Sequence, residues 1–239
     1  PMAAASLGQV HKAKLKVDGS PLALKIQYPK VQRAIENDLS TLRLILKLSK
    51  FIPQEIDTES ILNEIKTMLL YESSYLRELS MMKSFSTHLK SESDYKMPQV
   101  YEGLSNDRIL VTSFCEGVKI RDFTGSSKER DLLGKNFLNL LFKELFTWGI
   151  VQTDAHPGNY LIDNSTWVLL DFGASKELTP KIQELYKSFM SAVVAGDQEM
   201  FLATLYKQGY LKKDASFNQA LFTEYFQTIR EPFKGGVYN

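Results

Sequence analysis

Apolar and polar residues alternate with a period of two in two short segments near the start of the chain, Val10–Val17 and Leu22–Ile26. This is the pattern of half-buried strands. Asp18-Gly19 between them is a pair that tolerates positive backbone angles, so a hairpin is predicted. In the second segment Leu22, Leu24 and Ile26 share one face while Ala23, Lys25 and Gln27 share the other, which sends the Lys25 ammonium out opposite the oily side. The period then lengthens, and residues 31–50 and 59–85 read as helices. The second carries a stripe of Ile61, Ile65, Met68, Glu72, Tyr75, Leu79 and Met82, in steps of four and three. One member is charged. A buried glutamate needs a partner, so Glu72 calls for a cation, and Glu78, six positions on, is expected to point elsewhere around the helix.

Further along, Arg108–Thr112 reads as a strand and Ser113-Phe114-Cys115-Glu116-Gly117 as a short polar joint. A strongly apolar helix is predicted over 131–148, followed by Gly149 and the polar loop Gln152-Thr153-Asp154-Ala155-His156-Pro157-Gly158-Asn159. Tyr160–Ile162 and Trp167–Leu170 form a second hairpin around Asn164-Ser165, delivering Asp171-Phe172-Gly173 at a strand end. Thr179-Pro180 opens a helix, and helical patterns fill much of the C-terminal region. The expected organisation is α+β in two lobes: a small β-containing lobe over 1–112, a hinge at 113–117, and a mostly helical lobe over 118–239.

Composition narrows the function classes. The 239 residues, 44% hydrophobic, suffice for a substantial core without metal or disulfide support. A formal charge of +1 argues against a nucleic-acid wrapper. Cys115 stands alone and the three histidines are widely spaced, which leaves no structural zinc pattern. No run approaches the ~20 apolar residues that cross a bilayer, although peripheral membrane association survives that test. The chain opens directly on Pro1-Met2-Ala3-Ala4-Ala5-Ser6, and an upstream segment is therefore expected.

The polar sites occur in an order suited to nucleotide binding: a small-residue loop, a strand lysine, a helix glutamate, an Asp-x-x-x-x-Asn loop and an Asp-Phe-Gly after a strand. The order informs more than any one piece. Lys25 suits α- and β-phosphate oxygens, with Glu72 orienting it. Asn159 and Asp171 are oxygen ligands suited to Mg2+, and Asp154 is placed to accept a proton or to position a nucleophile.

These motifs resemble the UbiB/ADCK family of atypical protein-kinase-like ATPases linked to ubiquinone biosynthesis. Ala3-Ala4-Ala5-Ser6-Leu7-Gly8-Gln9-Val10-His11 is similar to that family's alanine-rich nucleotide loop, and Ala23-Leu24-Lys25-Ile26-Gln27-Tyr28-Pro29 to its lysine strand. Tyr71-Glu72-Ser73-Ser74-Tyr75-Leu76-Arg77-Glu78, Gln152–Asn159 and Leu170-Asp171-Phe172-Gly173 follow its helix, catalytic-loop and metal motifs. The resemblance implies a bilobal protein-kinase-like fold that binds ATP or ADP with Mg2+. Within it Asp154, Lys25 and Glu72 are catalytic and Asn159 and Asp171 hold the metal. Ala3, Ala4, Ala5, Ser6, Gly8, Gln9, Lys25, Ser113 and Cys115 contact the nucleotide. It also implies an isoprenoid or quinone-pathway small molecule, quinone-biosynthesis proteins as partners, and a setting at the cytoplasmic face of a membrane in bacteria or in the mitochondrion of a eukaryote.

Three departures stand out. Ser74 and Ser113 occupy positions where the family commonly has acids, and a Lys-x-Gly-Gln-type element, which the family carries on an N-terminal extension, is missing from residues 1–239. Three consecutive alanines also restrict the backbone angles with which a glycine-rich loop wraps phosphates. His156 reads as a loop-shaping residue, Gln9 as an organiser of its loop, and Cys115 on its own residue chemistry as a packing residue. Two other readings stand beside the ATPase. One is a small-molecule phosphotransferase, for which an acceptor pocket beside Asp154 would count. The other is a pseudokinase scaffold that binds nucleotide without turnover.

Overall fold

A computed structural model describes residues 1–5, 7–48, 57–211 and 218–235, with backbone alone for Ala4, Ala5, Lys47, Leu48 and Glu72. The chain divides into two compact units: Pro1–Leu140 with Gln152–Lys176, and Leu141–Val151 with Glu177–Asn239. These bounds differ from the division expected at 113–117, because the catalytic-loop and metal motifs pack in the same unit as the N-terminal sheet.

In the first unit, β1 (Ala3–Ala5), β2 (Gly8–Lys14), β3 (Pro21–Gln27) and β5 (Ile109–Ser113) make an antiparallel sheet in the order β1-β2-β3-β5. The hairpin between β2 and β3 turns through Asp18-Gly19 as expected, with Gly19 at φ 77° and Asp18 Oδ1 accepting from the Ser20 N–H. β2 stops at Lys14, shorter at the turn than the alternation to Val17 suggests, while β3 begins at Pro21, one residue before the expected Leu22. The expected loop over Ala3–Gly8 is largely strand: Ala3, Ala4 and Ala5 pair with Val10, Gln9 and Gly8. Alanine has too little freedom to wrap but extends readily, so it forms an edge strand.

The helical stretch 59–85 is two helices. α1 (Val31–Leu48) is followed by α2 (Thr58–Glu72) and α3 (Tyr75–Leu89), with a break at Ser73-Ser74. Ser74 caps α3, its hydroxyl accepting from the Arg77 N–H at 3.4 Å, and the extended backbone of the cap ends the continuous phase assumed for the stripe. Two of the inward residues of α2, Leu62 and Leu69, are displaced by one from that stripe, while Ile65 belongs to both. Leu62, Ile65 and Leu69 pack with Val31, Ile35 and Leu39, whereas Ile61 and Met68 are exposed. α3 then buries Tyr75, Glu78, Leu79, Met81, Met82, Phe85 and Leu89.

β4 (Tyr95–Lys96), β6 (Val118–Lys119), β8 (Tyr160–Asp163) and β9 (Thr166–Leu169) form a second small sheet, ordered β4-β9-β8-β6. The turn between β8 and β9 uses the predicted Asn164-Ser165, both at positive φ (48° and 64°). Beneath it, Phe137 packs against Tyr160 and Trp167 with ring centroids 5.3 and 5.2 Å away. The polar tips of these buried aromatics are all satisfied: Tyr160 Oη donates to Gln152 Oε1, Trp167 Nε1 to Leu133 O and Tyr95 Oη to Asn136 O. The helix expected over 131–148 is α4 (Ser127–Phe142) followed by π-helical residues Lys143–Trp148, which end on Gly149 in the left-handed region. β7 (Ile150–Gln152) precedes the catalytic loop, and β10 (Ser175–Glu177) follows the Asp-Phe-Gly segment.

The second unit is built on α5 (Pro180–Ala195), α6 (Gln198–Lys207) and α7 (Gln219–Arg230). Thr179 caps α5 with Pro180 in its first turn, as predicted. Ala192, Val193, Phe201, Phe222 and Phe226 form its core, with Phe201 and Phe226 rings 5.3 Å apart. No helix among the described residues is long and apolar enough to cross a membrane.

Candidate functional site

The site begins at Lys25. On β3 it lies opposite Leu110 of β5 and Val10 of β2, so both flanking strands fix its position. Its ammonium donates to Glu78 Oε2 at 2.8 Å and Oε1 at 3.0 Å, and to Asp171 Oδ2 at 3.0 Å. Its ring neighbour is Tyr75, at 5.4 Å from the ammonium. The partner is therefore Glu78, and the pairing expected with Glu72 is corrected. Glu72 closes α2, before the Ser73-Ser74 break, and its side chain lies outside those described. Glu78 stands in the first turn of α3, on the face that carries Tyr75, Met82 and Phe85. The signal that identifies it is the serine pair, read as a helix cap rather than as part of one long helix.

One cation and two carboxylates carry a net charge of −1 when all three are ionised, with the Lys25 side chain 16% and the Asp171 side chain 36% exposed. Glu78 is 1% exposed. Burial pushes its carboxyl up to about 7; Lys25 pulls it down and Asp171 adds to the rise. Burial by itself would push Lys25 down, but the two carboxylates outweigh it and hold the ammonium above its ordinary value. Asp171 is held below the usual carboxylate range: burial raises it, while Lys25 and the Gly173 N–H more than compensate.

Asp171 follows β9 and is built into a tight turn, its Oδ1 accepting from the Gly173 N–H at 2.9 Å and its carbonyl accepting from Gln152 Nε2 at 2.9 Å. Phe172 is wholly buried against Phe85 of α3, ring centroids 4.9 Å apart. Arg77 donates to the carbonyls of Gly173 and Ser175, and the Thr153 hydroxyl to the carbonyl of Ala174. Sequence reasoning left Arg77 without a role and treated Gln152 and Thr153 only as motif letters.

Two residues of the polar loop form a separate pair, Asp154 exposed and Asn159 half-buried. Asn159 Nδ2 donates to Asp154 Oδ2 and to the Asp154 carbonyl, both at 3.1 Å. This leaves Asn159 Oδ1 as the acceptor turned away from the aspartate. The Leu170 N–H donates to Asn159 O at 2.9 Å, fastening this loop beside Asp171. His156 Nδ1 accepts from the Gly158 N–H at 3.1 Å, so it shapes the loop as expected. A cavity of about 300 Å3 adjoins the pair, lined by Asp154 and Thr153 together with Met68, Tyr71, Arg77 and Lys176.

Among the described residues no group of three or more His, Cys, Asp or Glu gathers as a metal cage. Asn159 and Asp171 instead offer two hard oxygen donors, a set that suits Mg2+, which takes one or two protein oxygens and completes its shell with phosphate and water.

The remaining expected nucleotide contacts are scattered. Gly8 is required by packing, since a Cβ there would overlap Ile26 O and lie 2.6 Å from Tyr75 Oη. Gln9 Oε1 is bonded to His11 Nε2 at 3.0 Å. Ser6 lies outside the described residues. The Ser113 hydroxyl accepts from the Gln99 N–H at 2.9 Å. The Cys115 side chain faces a different cavity, of about 370 Å3, with Leu89, Tyr95, Lys96 and Asp163, and none of Lys25, Glu78, Asp154, Asn159 or Asp171 lines it. The structure thus brings Lys25, Glu78 and Asp171 together, and Asp154 with Asn159, but not the Cys115 thiol.

Comparison with known proteins places this geometry. A family described as the ABC1 atypical kinase-like domain matches residues 1–205. The chain is similar to the atypical kinase COQ8, mitochondrial, of Saccharomyces cerevisiae, with 31% identity over 99% of this chain and 48% of the yeast protein. It is 33% identical to the atypical kinase COQ8B, mitochondrial, of Rattus norvegicus, over 98% of this chain and 45% of the rat protein. The chain thus spans about half the length of these curated relatives. In fold it matches Rv3197 of Mycobacterium tuberculosis, solved in complex with erythromycin, with a TM-score of 0.77 and 25% identity over 97% of this chain and 59% of that one. The fold class is the expected one: protein-kinase-like, with a β-rich N-terminal lobe and a mostly helical C-terminal lobe.

Proposed function

Because the chain belongs to the ABC1 atypical kinase-like family, we propose that it binds Mg-ATP and acts as a kinase-like ATPase supporting ubiquinone or isoprenoid-lipid metabolism, passing the phosphoryl group to water or to an acceptor. The observation that carries this reading is the Lys25–Glu78–Asp171 cluster, a cation on β3 held by two carboxylates around the buried Glu78. Lys25 neutralises α- and β-phosphate oxygens, and Glu78 keeps the ammonium charged and aimed. Asp171 and Asn159 hold Mg2+, which when bound offsets the negative charge on the phosphates. Asp154, exposed and steadied by Asn159 Nδ2, takes the proton of an attacking hydroxyl or orients water. The mitochondrial designation of the yeast and rat relatives supports the same setting for this chain, with quinone-pathway enzymes as partners.

A second reading draws on the cavity of about 300 Å3 at Asp154. Its size suits a small acceptor, and it favours a small-molecule phosphotransferase over a scaffold without turnover. Mg-dependent ADP release by purified protein, with and without quinone-like lipids and alongside Asp171→Asn, tests the main proposal. Turnover that the substitution abolishes is the expected result. Failure to bind nucleotide, with no difference between the two proteins, would sink it. Label from the γ-phosphate recovered in a small molecule rather than as free phosphate would favour the transferase.

A further inference from the structure

The segment after β9 is held carbonyl by carbonyl. Asp171 O accepts from Gln152 Nε2, Phe172 O from the Ser175 N–H, Gly173 O and Ser175 O from Arg77, and Ala174 O from Thr153 Oγ1. Gln152 and Thr153 precede the catalytic aspartate in the loop. Arg77 alone among these side chains comes from α3, and it is the neighbour of Glu78 in sequence. Its guanidinium also lies 4.4 Å from the centre of the Tyr71 ring, at the end of α2.

From this geometry we infer that Arg77 is a positioning residue, locking the Asp171–Ser175 segment to the helix that supplies Glu78. The inference rests on the reading of Asp171 as the metal-holding carboxylate. Two adjacent residues of one helical turn act on one short segment by different chemistry: Glu78 reaches Asp171 through the shared Lys25 ammonium, and Arg77 grips the backbone two and four residues further on. Any displacement of α3 therefore disturbs the ion cluster and the segment's backbone together, and the catalytic parts are set as one unit. The planar guanidinium is suited to this because it presents several donors in a fixed fork, whereas an ammonium is a point donor. Arg77 also lines the cavity beside Asp154, next to Tyr71 and Met68. An acceptor seated there touches the residue that holds the segment in place.

The experiment compares wild type, Arg77→Gln and Arg77→Lys by hydrogen exchange of the backbone amides and by magnesium titration of ADP release. In R77Q the amides over 172–175 exchange about tenfold faster, while β8, β9 and the body of α3 keep their protection. The magnesium concentration for half-maximal ADP release rises about tenfold, and metal-free ADP affinity stays within about twofold. R77K recovers part of both effects. Unchanged exchange over 172–175 overturns the inference, and so does faster exchange spread evenly over α3, β8 and β9, which would mark a general loss of stability. Should wild type neither bind nor turn over nucleotide, the ATPase reading fails by itself, and the exchange comparison still decides the role of Arg77.

Discussion

The first unit holds two polar constellations built on opposite principles. Lys25, Glu78 and Asp171 are drawn from a strand, a helix and a strand end; Glu78 is buried, Lys25 and Asp171 are half-buried, and the three are bonded at 2.8–3.0 Å. Asp154 and Asn159 come from one loop, are bonded at 3.1 Å, and leave Asp154 exposed to solvent. The buried cluster incurs its desolvation cost on folding, so its geometry exists before any ligand arrives. The loop pair gives up little to be where it is, and it leaves the Asp154 side chain open to solvent. Stability should depend on the first and turnover on both.

The sharpest way to break this contrast is to remove the central charge from each. Lys25→Met leaves Glu78 buried without its cation, which costs about 3–5 kcal/mol of folding stability in urea melts and abolishes Mg-dependent ADP release. Lys25→Met combined with Glu78→Leu restores most of that stability without restoring turnover. Asp154→Asn changes stability by less than about 0.5 kcal/mol, yet lowers turnover about a hundredfold or more, with nucleotide affinity kept. Equal destabilisation by Lys25→Met and Asp154→Asn would erase the distinction between the two constellations.

A second test uses pH on the metal-free protein. The Glu78 carboxyl ionises near 4.5 in the unfolded chain and at about 7 in the folded one. Below the lower value it is protonated in both states and imposes no penalty. Between the two, the unfolded chain releases a proton that the folded chain retains, so stability falls as pH rises and levels off above the upper value. The stability of wild type relative to Glu78→Gln therefore drops by about 3 kcal/mol between these limits. Asp171 acts with the opposite sign: its folded value is lowered, and its contribution disappears as pH falls through that value. A flat difference between wild type and Glu78→Gln across this range would place the unpaired negative charge elsewhere in the cluster.

Local pattern carried much of this architecture. Two hairpin turns that use positive backbone angles, at Gly19 and at Asn164-Ser165, stand where short-range chemistry puts them, as does the Thr179-Pro180 helix start. Asp154, Asn159, Lys25 and Asp171 could be named because each sits in a compact motif. What eluded the reading was phase. A stripe continued across Ser73-Ser74 selects Glu72, whereas the serine cap resets the helix and brings in Glu78. Arg77 escaped for another reason: it acts on carbonyl oxygens, which every residue carries, so no spacing in the chain marks its targets. The alanine run reads as a loop, whereas Ala3–Ala5 form a strand because edge pairing depends on Val10, Gln9 and Gly8 being alongside, a tertiary circumstance.

The smallest expected effect tests that reset of phase directly. Ser74 has extended backbone, φ −100° and ψ 99°, and its hydroxyl is 3.4 Å from the Arg77 N–H, a long bond at the start of α3. Ser74→Ala removes this cap and costs about 1 kcal/mol, toward the lower part of the range for such substitutions because the bond is long. Ser74→Asp restores the acceptor and places a negative charge at the helix N-terminus, which returns the lost stability. If the break sets the position of the first turn of α3, the loss in Ser74→Ala is accompanied by faster amide exchange over residues 75–78, with α2 unaffected. The buried side chains of α3 further along, from Leu79 to Leu89, hold the rest of the helix in place. Exchange that accelerates equally through α2 and α3 would instead mean that the two helices open as one body and that the serine pair marks no boundary between them.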